Sequence, residues 1–101
     1  MREVLTARRF TAPVSENTVA EDWRRRGYSC HRFTDPPGQR WEDFVHDCNE
    51  VVTVVRGRLE LEVARQTLEA GPGDEVFIAK GARHSVRNVH TGTTEWLFGY
   101  D

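Results

Sequence analysis

The sequence predicts a small all-β domain, an antiparallel sandwich or barrel preceded by one short helix. From Tyr28 onward, short runs of β-favouring residues are separated by turn signals at intervals of roughly eight to twelve residues, which is typical of such folds. Within residues 58–63, charged and apolar residues alternate, so the apolar ones face inward. At 101 residues the chain has room for one domain. We therefore expect a single domain over residues 1–101, with an N-terminal extension over 1–27 and the barrel over 28–101.

The N-terminal extension contains one helical pattern, and a short edge strand is expected before it. Residues 20–26 place acidic side chains in the first turn and basic ones in the last, in agreement with the helix dipole. Ser15 or Thr18 would cap the start of this helix, and Gly27 would end it. Trp23 is the single large apolar residue on the helix face, so we expect it to fix the helix to the barrel.

The barrel divides into short strands. The first ends where Pro36 and Pro37 remove the backbone donors that a continuing ladder would need. The run Val-Val-Thr-Val-Val after Glu50 is strongly β-favouring. The predicted strands cover residues 28–34, 40–46, 50–55, 58–63, 67–69, 74–79, 83–89 and 95–100.

Composition excludes several classes of protein. The balance of 38% apolar and 30% charged residues is that of a globular protein, and no apolar run approaches the roughly 20 residues that span a bilayer. A net charge of −2 provides no field for nucleic acid, and we interpret the basic run at residues 24–26 as a solvated helix face. Because no apolar leader is present at the N-terminus, we expect a cytoplasmic protein in which the two cysteines are free thiols.

Three residues of metal-ligand type stand out in the barrel. His46 and Glu50 would lie roughly 13 Å apart along an extended strand, too far to share an ion. Residues 47–49, however, contain two turn-forming side chains, and a corner there would bring Glu50 back beside His46. His84 lies on a separate predicted strand. A lone histidine in a strand is more often structural than a ligand, but two histidines and one carboxylate that converge form the facial arrangement typical of non-haem Fe(II) sites.

The spacing of these residues follows two patterns. The first pattern runs Gly38, five residues, Phe44-x-His46, three residues, Glu50, six residues, Gly57. The second runs Gly73, five residues, Ala79-x-Gly81, two residues, His84, three residues, Asn88. Together they resemble the two motifs of the cupin superfamily over about half of the chain. Two departures are present, because Ala79 replaces the turn proline of the second motif and Phe44 occupies the place of the first metal-binding histidine.

The resemblance implies a jelly-roll barrel and a metal site reduced to His46, Glu50 and His84. The expected cofactor is a divalent transition metal, with Fe, Mn, Ni and Zn not distinguished. Cupins include dioxygenases, isomerases, epimerases, storage proteins and sensor domains, so three functions stay open. The first is a metal-dependent enzyme with dioxygenase-like or isomerase-like chemistry, and the second is a ligand-binding or sensor module without turnover. The third is a metal-free epimerase-like protein in which a histidine is the general base.

Other residues are candidates for a pocket around the ion. The expected lining consists of Trp41, Phe44, Cys48, Val86, Asn88, Trp96 and Phe98, although aromatic residues on short strands are more often plain core. Cys48 lies in the expected corner, where its direction cannot be predicted, and His31 is the candidate to replace the missing fourth ligand. Arg32, Arg40 and Arg83 would reach a carboxylate substrate if they faced the mouth of the barrel.

The expected partners are a small-molecule ligand or substrate and a second copy of the chain. A barrel of this size leaves edge strands whose unpaired backbone groups need covering, and small cupins commonly pair them in a homodimer.

Overall fold

A computed structural model describes residues 4–101; residues 1–3, with which the predicted N-terminal extension begins, lie outside this range. The chain runs through β1 (Leu5–Thr6), α1 (Glu16–Arg25), β2 (His31–Asp35), β3 (Arg40–Phe44), β4 (Glu50–Arg56), β5 (Leu59–Val63), β6 (Gln66–Ala70), β7 (Glu75–Ile78), β8 (His84–Asn88) and β9 (Thr94–Tyr100). Each predicted strand is present. The largest shift is at β2, which begins three residues late because the backbone N–H of Tyr28 donates to Trp23 O and closes the helix end.

Two antiparallel sheets form the predicted jelly-roll fold. One sheet has the strand order β1-β7-β4-β9-β2, and the other has the order β3-β8-β5-β6. The core lies between them, and the predicted inward residues of β5 are all buried. The alternation in β4 separates two layers, since Val52 packs into this core while Val51 faces the opposite side of the sheet.

The helix α1 covers the outer face of the five-stranded sheet. Ser15 is the cap, because its Oγ accepts a hydrogen bond from the N–H of Thr18 at 3.3 Å, and the helix therefore begins before the predicted start at residue 20. Gly27 follows the helix with a φ of 91°, as its role as the stop requires. Val19 and Trp23 are both fully buried against the sheet, so the apolar face is wider than the single residue predicted.

Trp23 is held by a hydrogen bond as well as by packing. Its Nε1–H donates to Oε1 of Glu75 at 2.8 Å, and Glu75 is itself buried in β7. Arg26 pairs with the same carboxylate, so the buried charge has both an indole and a guanidinium partner. The carboxylate of Glu75 thus joins the end of the helix to the sheet.

Two glycines of the sequence patterns are required by close approaches. Gly57 has a φ of 102° and Gly73 a φ of 90°, a region that side chains disfavour. A Cβ atom at Gly57 would collide with Thr94, and one at Gly73 would collide with the carbonyl oxygen of Phe10. No helix of the described chain is long and apolar enough to cross a membrane.

Replacing Trp23 by Ala should lower the free energy of unfolding by about 3–5 kcal/mol, because it empties a fully buried site and removes one donor from Glu75. Urea unfolding followed by circular dichroism measures this change. The matched control is Arg25→Ala on the exposed side of the same helix, which should leave the unfolding midpoint unchanged. Equal midpoints for the two variants would contradict the packing described.

Candidate metal centre

The chain crosses from one sheet to the other between Phe44, at the end of β3, and Glu50, at the start of β4. A bend at residues 47–48 reverses its direction, as the turn-forming residues predict. The bend brings Oε1 of Glu50 to 3.6 Å from Nε2 of His46. Two side chains that an extended strand would separate therefore face the same point.

Three hydrogen bonds, each with at least one backbone partner, hold this corner in place. The carbonyl of His46 accepts from the N–H of Gly81 at 3.0 Å. Oδ1 of Asn49 accepts from the N–H of Lys80 at 2.8 Å, and the N–H of Asn49 donates to Oδ1 of Asp101 at 3.0 Å. The corner is thus fastened both to the turn before β8 and to the end of β9.

His84 completes the cluster from β8. Its Nε2 lies 3.4 Å from Oε1 of Glu50, and its Nδ1 lies 3.1 Å from the carbonyl oxygen of Ala82. Because a carbonyl only accepts, Nδ1 carries a proton, and in the neutral ring Nε2 then presents its lone pair to the cluster. One ligand atom from each of His46, Glu50 and His84 lies within 4.8 Å of the others. The 3.4 and 3.6 Å separations from Oε1 of Glu50 are close to those between neighbouring ligands whose bonds to one ion are each about 2 Å long.

The electrostatics of the cluster favour a cation. Glu50 and His84 are each 4% exposed, and Oε1 of Glu50 is buried with no hydrogen-bond partner. The two imidazole nitrogens beside it are farther away than a normal hydrogen bond allows. Burial lowers the pKa of His84, but the Glu50 carboxylate and the Ala82 carbonyl raise it by more, so the net shift is upward.

Phe44 reaches the cluster because of a β-bulge. Trp41 pairs with Val86, but Phe44 rather than Asp43 pairs with His84, so β3 contains one extra residue. Asp43 accommodates the extra residue by adopting a left-handed backbone conformation, with a φ of 59°. The bulge turns Phe44 to the same side as Trp41, and its ring centre lies 6.0 Å from that of His46 and 6.3 Å from that of His84.

A cavity of about 190 Å³ lies between the two sheets, next to the cluster. Its walls are aromatic and aliphatic apart from the three candidate ligand residues. They consist of Phe33, Trp41, Phe44, His46, Glu50, His84, Val86, Trp96, Phe98 and Tyr100. Phe33 was missed in the sequence, although it shares one face of β2 with the buried Asp35 by two-residue periodicity.

Three residues singled out in the sequence lie outside the cavity lining. Asn88 is buried, and its amide donates to the carbonyls of Asp35 and Pro36 at 3.1 and 2.9 Å, so it holds a loop instead. Cys48 lies in the bend and is half-buried. His31 is exposed on an edge strand against the ring of Phe98, and within residues 4–101 it joins no metal-ligand cluster.

No arginine or lysine lines the cavity in the described part of the chain. Arg32 pairs with Glu16 and Glu95, and Arg40 pairs with Glu42. The third candidate from the sequence, Arg83, lies in a separate groove behind His84. The mouth of the cavity therefore offers no guanidinium to a carboxylate substrate.

A buried carboxylate joins the walls of the two sheets. Oδ2 of Asp35 accepts hydrogen bonds from Nε1 of Trp41 at 3.0 Å and from Nε1 of Trp96 at 2.9 Å. Trp41 belongs to the four-stranded sheet and Trp96 to the five-stranded sheet. Asp35 is 3% exposed, so this shared acceptor fixes both indoles in a site without competing water.

Tyr100 is the remaining ionisable group of the cavity wall. Burial and the nearby Glu50 carboxylate raise its pKa to about 12. Its hydroxyl is therefore protonated at neutral pH and cannot serve as a base there.

The sequence over residues 31–100 matches the cupin domain, and the chain belongs to the cupin family. A cupin 2 domain-containing protein from Halorhodospira halophila is 27% identical with a TM-score of 0.69, and the match covers 73% of this chain and 52% of that one. A protein from Thermus thermophilus is 23% identical with a TM-score of 0.67, with 72% and 71% covered. An oxalate oxidase in complex with the substrate analogue glycolate is 19% identical with a TM-score of 0.67, with 73% and 41% covered. No curated protein matches the sequence.

These similarities show the fold of the chain, and none of them establishes an activity. The chain spans about half of the Halorhodospira protein and less than half of the oxalate oxidase. At 23% and 19% identity, the Thermus protein and the oxalate oxidase show the fold alone.

Replacing Asp35 by Ala should lower the free energy of unfolding by about 3 kcal/mol, because it leaves two buried indole N–H groups without an acceptor. Chemical unfolding followed by tryptophan fluorescence measures both the stability and the changed surroundings of the indoles. Asp47→Ala is the control, since the Asp47 side chain is 99% exposed and its removal should change neither quantity. The shared acceptor would be disproved by an Asp35→Ala variant as stable as the wild type.

Proposed function

We propose that this cupin is a metal-dependent enzyme acting on a small molecule, with a divalent ion held by His46, Glu50 and His84. The observation that supports it is the buried Oε1 of Glu50, which lacks a hydrogen-bond partner and lies between two imidazole nitrogens. A buried carboxylate oxygen left unpaired costs roughly 1–3 kcal/mol, and a cation between these three side chains would remove that cost.

The donor set fits a transition metal. Two imidazole nitrogens and one carboxylate oxygen suit Fe²⁺, Mn²⁺, Ni²⁺ or Zn²⁺, and three protein ligands leave coordination positions open. When bound, such an ion acts as a Lewis acid that polarises an oxygen of the substrate. Phe44 supports the open position, because an apolar ring stands where a further side-chain ligand would have to be.

The residues of the chain prepare the site for this chemistry. The Ala82 carbonyl orients the imidazole of His84, and the fastened corner orients His46. Glu50 and His84 are each 4% exposed, and burial of this kind strengthens electrostatic interactions at their side chains. Dioxygenase-like and isomerase-like reactions both use a site of this kind, and the consumption of dioxygen during turnover would distinguish them.

A ligand-binding module without turnover is the second candidate, and one observation favours it. Tyr100 is the ionisable group of the wall outside the cluster, and its pKa of about 12 makes it a poor partner for proton transfer. Ligands that stabilise the protein and are recovered chemically unchanged would support this function. Turnover that persists in the presence of chelators would instead support a metal-free, epimerase-like cupin.

Metal-free protein dialysed against Zn²⁺ or Mn²⁺ should take up one ion per chain, measured by elemental analysis. His84→Ala should lower the affinity by about 100-fold or more, because it removes a buried ligand and leaves Glu50 with one imidazole neighbour. His90→Ala is the control, since its side chain is exposed and lies outside the cluster. Equal stoichiometry and affinity in wild type and His84→Ala would refute the proposed site.

A gain-of-ligand variant tests the same site from the other side. Phe44→His introduces a third imidazole about as far from His46 and His84 as the present ring. We expect the affinity for Zn²⁺ to rise by about tenfold or more, because a fourth nitrogen completes a tetrahedral set. An unchanged affinity would show that Phe44 does not face the ion.

We also propose that the protein forms a homodimer through an edge of its five-stranded sheet. β2 is an edge strand in which four of five residues are exposed, and Phe33 within it is 39% exposed. Light scattering at micromolar concentration should give twice the chain mass of 11.6 kDa. A mass of one chain would rule out the dimer.

A further inference from the structure

We propose that the cavity beside the cluster binds an aromatic alcohol of a single ring, a phenol-type ligand with no other charged group. Its hydroxyl would lie at Oε1 of Glu50 and its ring among the aromatic side chains. The assignment of this ligand as a substrate rests on the proposed function: in the metal-free protein the hydroxyl would donate to Oε1 of Glu50, and in the metal-loaded protein its oxygen would lie next to the ion. The binding of the ring itself depends on the protein alone.

The aromatic walls form a continuous surface from the mouth to the base of the cavity. In the single chain Phe33 and Phe44 are 39% and 40% exposed, so both lie at the mouth of the cavity. The ring of Phe33 lies 5.4 Å from that of Trp41, 5.4 Å from that of Trp96 and 4.8 Å from that of Phe98. These spacings are those of favourable aromatic pairs, and a further flat ring would make the same contacts with the free faces.

The size of the cavity selects a small ligand. A volume of about 190 Å³ is somewhat larger than the roughly 150 Å³ of an apolar cavity that binds benzene in another protein. It is smaller than the roughly 300 Å³ at which pockets for drug-sized molecules begin. One ring with one or two small substituents therefore fills the space.

The charges around the cavity exclude an anionic substituent. Arg32 and Arg40 pair with surface carboxylates, and Arg83 lies in the groove behind His84. In the metal-free protein, a carboxylate on the ligand would thus be buried without an arginine or lysine partner and close to Glu50, which is costly. The ligand therefore has one polar group, and that group lies next to the cluster.

Glu50 supplies a partner for that polar group. Its Oε1 is buried and accepts no hydrogen bond from the described chain, so a hydroxyl that enters the cavity has an unused acceptor. Hydrogen bonds to charged groups are stronger than those between neutral groups, and Glu50 is a carboxylate that is 4% exposed. A hydroxyl on a flat ring satisfies this atom and the aromatic walls together.

The test uses metal-free wild-type protein and isothermal titration calorimetry, so that its outcome is independent of metal uptake. Phenol should bind saturably with one molecule per chain. Anisole lacks the donor, benzoate carries a charge and cyclohexanol lacks the flat ring, so each should bind about tenfold or more weakly than phenol. Quenching of tryptophan fluorescence should report the same order, since Trp41 and Trp96 line the cavity.

Variants on the two faces of the five-stranded sheet locate the binding. Phe98→Leu keeps an apolar wall but removes a ring, and it should weaken phenol by roughly 2- to 10-fold. The control is Phe77→Leu. Phe77 lies on the opposite face of that sheet, where it packs against the hydrophobic core beneath α1, so the affinity for phenol should be unchanged.

Several outcomes would overturn the proposal. One is that phenol fails to bind saturably, or binds only after metal is added. Another is that benzoate or cyclohexanol binds as tightly as phenol, and a third is that Phe98→Leu and Phe77→Leu change the affinity for phenol equally. Phenyltrimethylammonium binding more tightly than phenol would assign the cavity to organic cations instead. If phenol binds as expected while the metal titration fails, the proposed enzyme is wrong but the ligand class stands.

Discussion

The buried carboxylates of the described chain are Asp35, Glu50 and Glu75, and the way each is satisfied governs the rest of the structure. Glu75 receives an indole and a guanidinium, which joins the helix to the outer face of one sheet. Asp35 receives two indoles, which joins the two sheets at the base of the cavity. Glu50 alone among them retains a buried oxygen without a hydrogen-bond partner. Because burying an unpaired charge is unfavourable, the partners of the first two side chains offset the cost of burying them, and the third retains an acceptor that the proposed ion or ligand would satisfy.

The position of Glu50 follows from the crossing between the sheets. His46 and Glu50 are close because the chain turns a corner between them, and His84 is close because β8 lies in the sheet that the chain has just left. The corner is fastened by Asn49 and Asp101, so the ligand atoms belong to a rigid frame rather than to an open loop. A preorganised set of ligands of this kind loses little entropy when an ion binds.

The apolar walls and the polar cluster depend on each other. Trp41 and Trp96 line the cavity while their N–H groups are occupied by Asp35. Because Glu50 is buried, a cation or a hydroxyl beside it would interact with it more strongly than in water. Burial and the Glu50 carboxylate raise the pKa of Tyr100 and keep its hydroxyl protonated at neutral pH.

The local sequence determined the strands, the helix cap and the types of the ligand residues. Alternation in β5 predicts its buried face, and the turn-forming residues at 47–49 predict the corner that joins His46 to Glu50. These features depend on residues near each other in the chain, and two-residue periodicity and turn chemistry are local properties.

Tertiary structure decided what fills the space around the ligands. The bulge that turns Phe44 inward depends on the pairing of β3 with β8 and on the hydrogen bond from the N–H of Asp43 to Oγ of Ser85 at 3.0 Å. The loop-holding role of Asn88 likewise depends on carbonyl groups more than fifty residues away in the chain. Register and long-range hydrogen bonds belong to pairs of distant segments, so periodicity within one segment cannot predict them.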